Sequence, residues 1–257
     1  MSTHPLDDPR ILAGLFYPRS ARANENLPPG ARDGTVTIAA DVVIGYRWFP
    51  LKPEAPVILF FHGNGEVAAD YSTVAPLYHN IGVSLLVVDY RGYGWSTGFP
   101  LVSALLTDAE KIAAALPQIL GDAPADKPVY VMGRSLGSAP AIHLAYTYPE
   151  RFRGLIIDSG FAETPSLFKR LGIDTTGLNI DESPIGNARK IASIDLPLLI
   201  IHGERDLLLP LSNAQQLFDA APSTQKRLLV IRGAGHNNLL VYGSGDYFLA
   251  LAGFTQR

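Results

Sequence analysis

Six short runs of this chain are apolar from end to end: Val57–Phe61, Leu85–Val88, Val129–Met132, Leu155–Ile157, Leu198–Ile201 and Leu228–Ile231. A strand with one wet face alternates apolar and polar residues, so runs without alternation belong to strands covered on both faces. The stretches between them, such as Ala104–Leu120 and Ser138–Tyr148, are rich in alanine and leucine and long enough for helices. Strands alternating with helices predict an α/β fold, a mostly parallel sheet flanked by helices. Upstream, Thr35–Ala39 and Val42–Phe49 alternate more loosely and predict an antiparallel hairpin at one edge. The sheet is then expected to have eight strands.

One interval breaks this rhythm. Between Phe161 and Asp195 no strand-like run occurs, and Pro165, Gly172, Gly177, Pro184 and Gly186 punctuate the stretch. So long a connection is exceptional in a compact domain and predicts a small inserted cap over residues 161–194. Residues 1–33 show no clear hydrophobic period and are expected to form an arm lying on the domain. With no internal repeat or low-complexity tract, residues 1–257 are expected to form one domain. Charged residues make up 18% of the chain, below the usual share of about a quarter, which predicts a sizeable buried core.

The composition also excludes function classes. A net charge of −3 without a basic stripe offers nothing to neutralise phosphates, so no nucleic acid is expected as partner. The absence of cysteine excludes disulfides, thiolate nucleophiles and thiolate-held zinc, and fits a reducing cytoplasm. The sequence opens Met1-Ser-Thr-His-Pro-Leu-Asp-Asp, with neither a basic start nor an apolar stretch, so no secretory signal is expected. No apolar run approaches the roughly 18 residues that cross a bilayer. A soluble cytoplasmic protein without a stable membrane anchor is expected, and its oligomeric state is left open.

Met132 ends a strand-like run, and Gly133-Arg134-Ser135-Leu136-Gly137 follows, leading into a helix-like stretch. This is the G-x-S-x-G pattern in the strand–turn–helix setting it requires. A sharp turn holds the serine in a strained backbone conformation, and the flanking glycines avoid clashes with the adjoining strand and helix. The hydroxyl then stands at the carboxyl end of the sheet, beside a helix N-terminus that favours negative charge. Taken alone, a glycine-flanked serine is equally a helix cap. The residues that follow it in the chain argue for a nucleophile.

A serine hydroxyl needs a base, and the base needs an orienting group. Asp206 lies just past Leu198–Ile201, and His236 lies on a glycine-rich loop past Leu228–Ile231. Serine, acid and histidine thus follow in the order this elbow calls for, each beyond the carboxyl end of a strand. His4 lies in the arm, His79 and His143 in helical stretches, and His62 and His202 each end a strand before a glycine, as structural histidines do. Asp158 and Glu204 are the rival acids; Asp206 is preferred because it has chain enough to reach His236. Two backbone N–H groups are expected to stabilise an oxyanion. One belongs to Leu136, and the other to the His62-Gly63-Asn64-Gly65 loop, with Asn64 ahead of Gly65.

His62-Gly-Asn-Gly, Asp89-Tyr-Arg-Gly-Tyr-Gly-Trp-Ser-Thr-Gly98, Gly133-Arg-Ser-Leu-Gly137, His202-Gly-Glu-Arg-Asp206 and Gly235-His236 occur in that order. Together they resemble the small-cap branch of the α/β-hydrolase superfamily, which includes α/β-hydrolase-domain lipases, protein depalmitoylases and bacterial esterases. The resemblance runs from about Pro56 to the C-terminus and implies an α/β-hydrolase fold. It implies that Asp89–Gly98 is a structural loop near the site, and Phe16-Tyr-Pro-Arg19 also looks like the arm of that branch. Membrane-attached members carry an N-terminal anchor or a cysteine-rich palmitoylated segment, and neither is expected here, because the sequence holds no cysteine and opens without an apolar stretch.

The expected activity is hydrolysis of small-molecule carboxylic esters or thioesters through an acyl-enzyme, with Ser135 as nucleophile, His236 as base and Asp206 orienting the base. No metal or organic cofactor is implied. A peptidase or lipase of the same fold, and a non-catalytic ligand-binding module that keeps the triad, are the alternatives. Leu167, Phe168 and Leu171 have the spacing of one short amphipathic helix in the cap, which predicts an apolar wall suited to short or medium acyl chains.

Overall fold

In the computed structural model, residues 4–121, 126–178, 180 and 185–256 are described. Residues 1–3 of the expected arm, and 179 and 181–184 of the expected cap with Pro184 among them, lie outside the described residues. Eight strands form one sheet: β1 (Arg32–Ala39), β2 (Val42–Phe49), β3 (Val57–Phe61), β4 (Ser84–Val88), β5 (Val129–Arg134), β6 (Gly154–Asp158), β7 (Leu198–Gly203) and β8 (Lys226–Ile231). Their spatial order is β1-β2-β4-β3-β5-β6-β7-β8. β1 and β2 form the antiparallel edge, and every pair from β4 to β8 is parallel. The protein has the expected mostly parallel α/β architecture.

The apolar runs are continuous because alternate side chains enter two different cores. Val57, Leu59 and Phe61 face the layer that holds α3 (Val102–Leu120), α4 (Ser138–Thr147) and α7 (Ser212–Ala220). Ile58 and Phe60 face the opposite layer, built from α2 (Ala75–Asn80) and α8 (Leu239–Thr255). β3, β4 and β6 are buried along their whole length. No helix among the described residues is long and apolar enough to cross a membrane.

Before the sheet, α1 (Pro9–Leu15) starts at Asp8, whose carboxylate accepts the Arg10 N–H at 2.9 Å. Ile11, Leu15 and Phe16 are buried. A seven-residue helix shows only one i,i+4 apolar pair, which is too little to register as a period. Between β6 and β7 lie α5 (Thr164–Arg170) and α6 (Asn187–Ile191), with Leu167 and Phe168 of α5 buried as its spacing predicts. A Cβ at Gly14 would lie 2.6 Å from Ile173, so α1 packs directly on this segment.

The looser alternation of the edge hairpin has a cause in Arg47. This β2 side chain is buried, and its Nε and Nη2 each donate to Asp33 of β1 at 2.7 Å, while Nη1 donates to Ser72 Oγ at 2.8 Å. Removing one partner of such a pair strands the other charge away from water, at a cost of about 3–5 kcal/mol. Asp33→Ala is therefore expected to lower the free energy of urea unfolding by that amount. A loss below about 1 kcal/mol would show that the pair does not hold the edge.

Candidate active site

β5 ends at Arg134, and Ser135 follows with φ +50°. An L-residue pays about 1–2 kcal/mol for that left-handed backbone, and its neighbours show why the turn must be so tight. A Cβ on Gly133 would collide with the carbonyl of Gly137, and one on Gly137 with the carbonyl of Phe61 in β3. The Ser138 hydroxyl donates to the Ser135 carbonyl at 2.7 Å and ties the turn to the start of α4. Ser135 is consequently fixed beyond the carboxyl end of the sheet.

Two further loops converge there. His236, past β8, makes hydrogen bonds through both ring nitrogens: Nδ1 to Asp206 Oδ2 at 2.7 Å and Nε2 to Ser135 Oγ at 2.9 Å. A carboxylate can only accept, so Nδ1 carries the proton and Nε2 is left to accept from the serine hydroxyl. Asp206, past β7, takes the Leu209 N–H on its other oxygen at 2.7 Å. Burial pushes the Asp206 carboxyl up, but the His236 hydrogen bond, its charge and the Leu209 N–H outweigh it and leave the group below the usual carboxylate range. Glu204 N–H donates to Ile231 and Arg205 N–H to Ala234, at 3.0 and 2.8 Å, and these bonds hold the two loops side by side.

The rival acids are occupied elsewhere. Asp158 accepts from Ser159 Oγ and Tyr247 OH, both at 2.8 Å, and Glu204 accepts the Gly233 N–H at 2.8 Å. The remaining histidines are framework groups. His62 and His202 are buried and bond the carbonyls of Gly63 and Leu209, and His79 bonds that of Phe49. His143 lies between Glu110 and Lys190, and His4 caps the N-terminal turn.

Asn64, Ser135 and Leu136 share the walls of a cavity of about 40 Å³ with Leu15, Phe161 and Leu167. The Asn64 side chain is engaged by the arm and by Tyr93. Its Oδ1 accepts from Tyr17 N–H at 3.0 Å and Tyr93 OH at 2.6 Å, and its Nδ2 donates to the Leu15 carbonyl at 2.5 Å. The arm is thus tethered to the loop expected to donate to an oxyanion, and Leu15 becomes part of the cavity wall. Sequence reasoning missed Leu15, although Asp8-Pro9 followed by Ile11 and Leu15 carries the signature of a capped helix start.

This geometry has relatives. The chain matches the Hydrolase_4 family, described as serine aminopeptidase, S33, over residues 52–174 and 187–240. It belongs to this family of α/β-hydrolases. Over 232 residues it is 30% identical to an uncharacterised protein of Mycobacterium tuberculosis, a span covering 87% of this chain and 79% of that one. Human alpha/beta hydrolase domain-containing protein 17B is 31% identical over 190 residues, 72% of this chain and 62% of the human protein. The structure of the Pyrococcus furiosus esterase Pf2001 superposes with a TM-score of 0.75 at 18% identity, covering 94% of this chain and 99% of that one.

Within this α/β-hydrolase, no group of three or more His, Cys, Asp or Glu side chains among the described residues is arranged to hold a metal ion. The elbow glycines give a direct test of the turn. Gly137→Ala is expected to destabilise the fold by more than about 2 kcal/mol, because the new methyl meets backbone that cannot move aside. Gly245→Ala, in the first turn of α8 after its kink at Gly243, where nothing lies within 4 Å, is expected to change stability by less than about 0.5 kcal/mol. Urea unfolding measures both, and equal effects would refute the close approach at the elbow.

Proposed function

We propose that this α/β-hydrolase cleaves small carboxylic esters or thioesters through an acyl-enzyme formed on Ser135. The observation that carries the reading is the unbroken chain from Ser135 Oγ through His236 to Asp206, at 2.9 and 2.7 Å. In the first half-reaction Ser135 Oγ attacks the carbonyl carbon while its proton passes to His236 Nε2. The imidazolium is stabilised by Asp206, whose carboxyl stays ionised below the ordinary range. Backbone N–H groups of Leu136 and Asn64 hold the oxyanion, and collapse of the intermediate returns the proton to the departing alcohol or thiol. Water activated by the same imidazole then attacks the acyl-Ser135 carbonyl, releasing the acid and restoring the hydroxyl.

The cavity chemistry favours an acyl group over a peptide N-terminus. Beside Asn64 and Ser135, its wall is formed by Leu15, Leu136, Phe161, Leu167, Leu171, Leu208 and Leu209. An acyl chain is apolar and gains from such walls as it leaves water. The small volume suits short acyl chains: each methylene buried adds about 0.8 kcal/mol, about fourfold in kcat/KM, until the space is full.

Three outcomes are expected. A fluorophosphonate probe labels the wild-type protein and fails to label Ser135→Ala, whose esterase activity drops by at least about 10³-fold. A folded wild-type protein that stays unlabelled would instead support a binding module. Asp206→Asn lowers turnover by about three to four orders of magnitude, because the imidazole loses its tautomer, while Asp158→Asn leaves turnover within about threefold. The reverse ranking would reassign the acid. Across p-nitrophenyl esters, kcat/KM climbs from acetate, levels off at medium chains and falls for palmitate; a rise continuing to palmitate would refute the small acyl site.

A further inference from the structure

The residue between Gly133 and Ser135 contacts both of the other loops at the site. The Arg134 guanidinium pairs through Nη1 with Glu66, and its Nη2 donates to the His236 carbonyl at 2.9 Å and to Asn237 Oδ1 at 3.0 Å. On the other side of the pair, Glu66 accepts the Gly63 N–H at 2.9 Å and the Tyr71 hydroxyl at 2.7 Å. A single ion pair therefore joins three segments: the elbow, the loop carrying Asn64 and the loop carrying His236. The pair also explains Gly63, where a Cβ would stand 2.5 Å from Arg134 Nη1 and 3.0 Å from Glu66 Oε1.

Packing does not replace this support. Glu66, Tyr71, Arg134, Asp158, Asn237 and Tyr247 are among the walls of a cavity of about 270 Å³ next to the His236 loop. On the side that borders this space, the Arg134 bonds to the His236 carbonyl and to Asn237 Oδ1 hold the loop. Both partners are held in their charged forms. Burial opposes charge on Arg134, but Glu66 and Asp158 outweigh it and raise the guanidinium, and Arg134 and Tyr71 likewise outweigh burial and lower the Glu66 carboxyl. Only a guanidinium supplies several donors in one fixed plane, so lysine cannot reproduce the set of contacts.

We propose that Arg134 and Glu66 form a positioning pair that sets the His236 carbonyl and the Gly63 N–H relative to Ser135, and so aligns the base and the oxyanion donors on one nucleophile. The proposal rests on the reading of Ser135, His236 and Asp206 given above. Neither residue touches substrate. A displacement of about 1 Å at the reacting atoms costs on the order of 10²-fold in rate, so misalignment appears in kcat while KM for a short ester changes little.

The test uses the full chain and a short-chain p-nitrophenyl ester, with kcat expressed per fluorophosphonate-titrated Ser135. That normalisation separates misalignment from loss of folded protein. Arg134→Lys, Arg134→Gln and Glu66→Gln are each expected to lower kcat per titrated site by about 10- to 100-fold, with KM changed by less than about threefold. The double variant Arg134→Gln/Glu66→Gln is expected to lose no more than the worse single variant, because the two act as one unit. Wild-type kcat per site in Glu66→Gln, losses confined to the number of titratable sites, or multiplicative losses in the double variant would each overturn the pair. Should the Arg134 variants fail to fold, the near-isosteric Glu66→Gln decides. A wild-type protein that neither labels nor hydrolyses the ester would overturn the hydrolase reading itself, a result distinguishable from failure of the pair.

Discussion

The left-handed backbone of Ser135, at φ +50°, is the constraint from which the geometry of the site follows. Such a conformation persists only where its surroundings over-determine it. Here β5 is hydrogen-bonded on both edges, by β3 and β6, and packed on both faces. The turn after it has no room to relax, since Gly133 abuts the Gly137 carbonyl and Gly137 abuts the backbone of Phe61 and His62. That second contact reaches beyond the serine. It places the first turn after Ser135 directly against the loop that carries Asn64, so the two expected oxyanion donors are spaced by backbone contact.

A layer of buried polar groups supports this loop from within. Asp89 accepts the Ala68 N–H at 2.8 Å and approaches His62 Nε2 at 3.2 Å, while Tyr90 OH donates to the His62 carbonyl at 2.5 Å. Gly94, with φ +56°, presses so closely on the Asp89 carboxylate that no side chain fits. Tyr93 OH meets Asn64 Oδ1. The Asp89–Gly98 stretch is thus a scaffold for the neighbouring loop, contributing bonds and shape. Buried polar groups are costly unless paired; Asp89 Oδ1 is paired here through the Ala68 N–H, whereas Asp89 Oδ2 and His62 Nε2 are buried without a hydrogen-bond partner among the described residues.

The fold and much of the site were legible because their signals are local. Val57–Phe61 is bounded correctly to the residue, since a strand covered on both faces must be apolar throughout and the turns beside it must not be. Ser135, Asp206 and His236, which the structure joins in one hydrogen-bonded chain, were expected from the strand each one follows, a property of a few adjacent residues. What escaped notice depends on contacts between distant parts of the chain. Arg134 occupies a position of the elbow pattern that any residue satisfies, and its partner Glu66 lies 68 positions away. Leu15 is held at the cavity by contacts with distant segments, among them the bond from Asn64, 49 positions downstream, to its carbonyl. No periodicity or spacing encodes such meetings. The apolar edge hairpin hid a charge for the same reason: Arg47 is buried among acceptors that lie elsewhere in the chain, Asp33 on the neighbouring strand, Ser72 and the Glu25 carbonyl.

The separation between chemistry and cavity wall has a structural basis. The residues that form the hydrogen-bonded chain sit on turns fixed by the sheet, whereas Leu15, Phe161, Leu167 and Leu171 come from segments outside it. Their side chains can change size with the turn at Ser135 left intact. Leu208 and Leu209 are different. The Leu209 N–H bonds Asp206 Oδ1 and the Leu209 carbonyl bonds His202, so this part of the wall belongs to the turn that presents the acid. Changes there move the carboxylate as well as the wall, while changes in α5 move the wall alone. The arm lies between these cases, because Leu15 is tied to Asn64 by a side-chain bond and not by the sheet. The shape of the cavity is therefore most freely adjusted from α5 and least freely from the 206–209 turn.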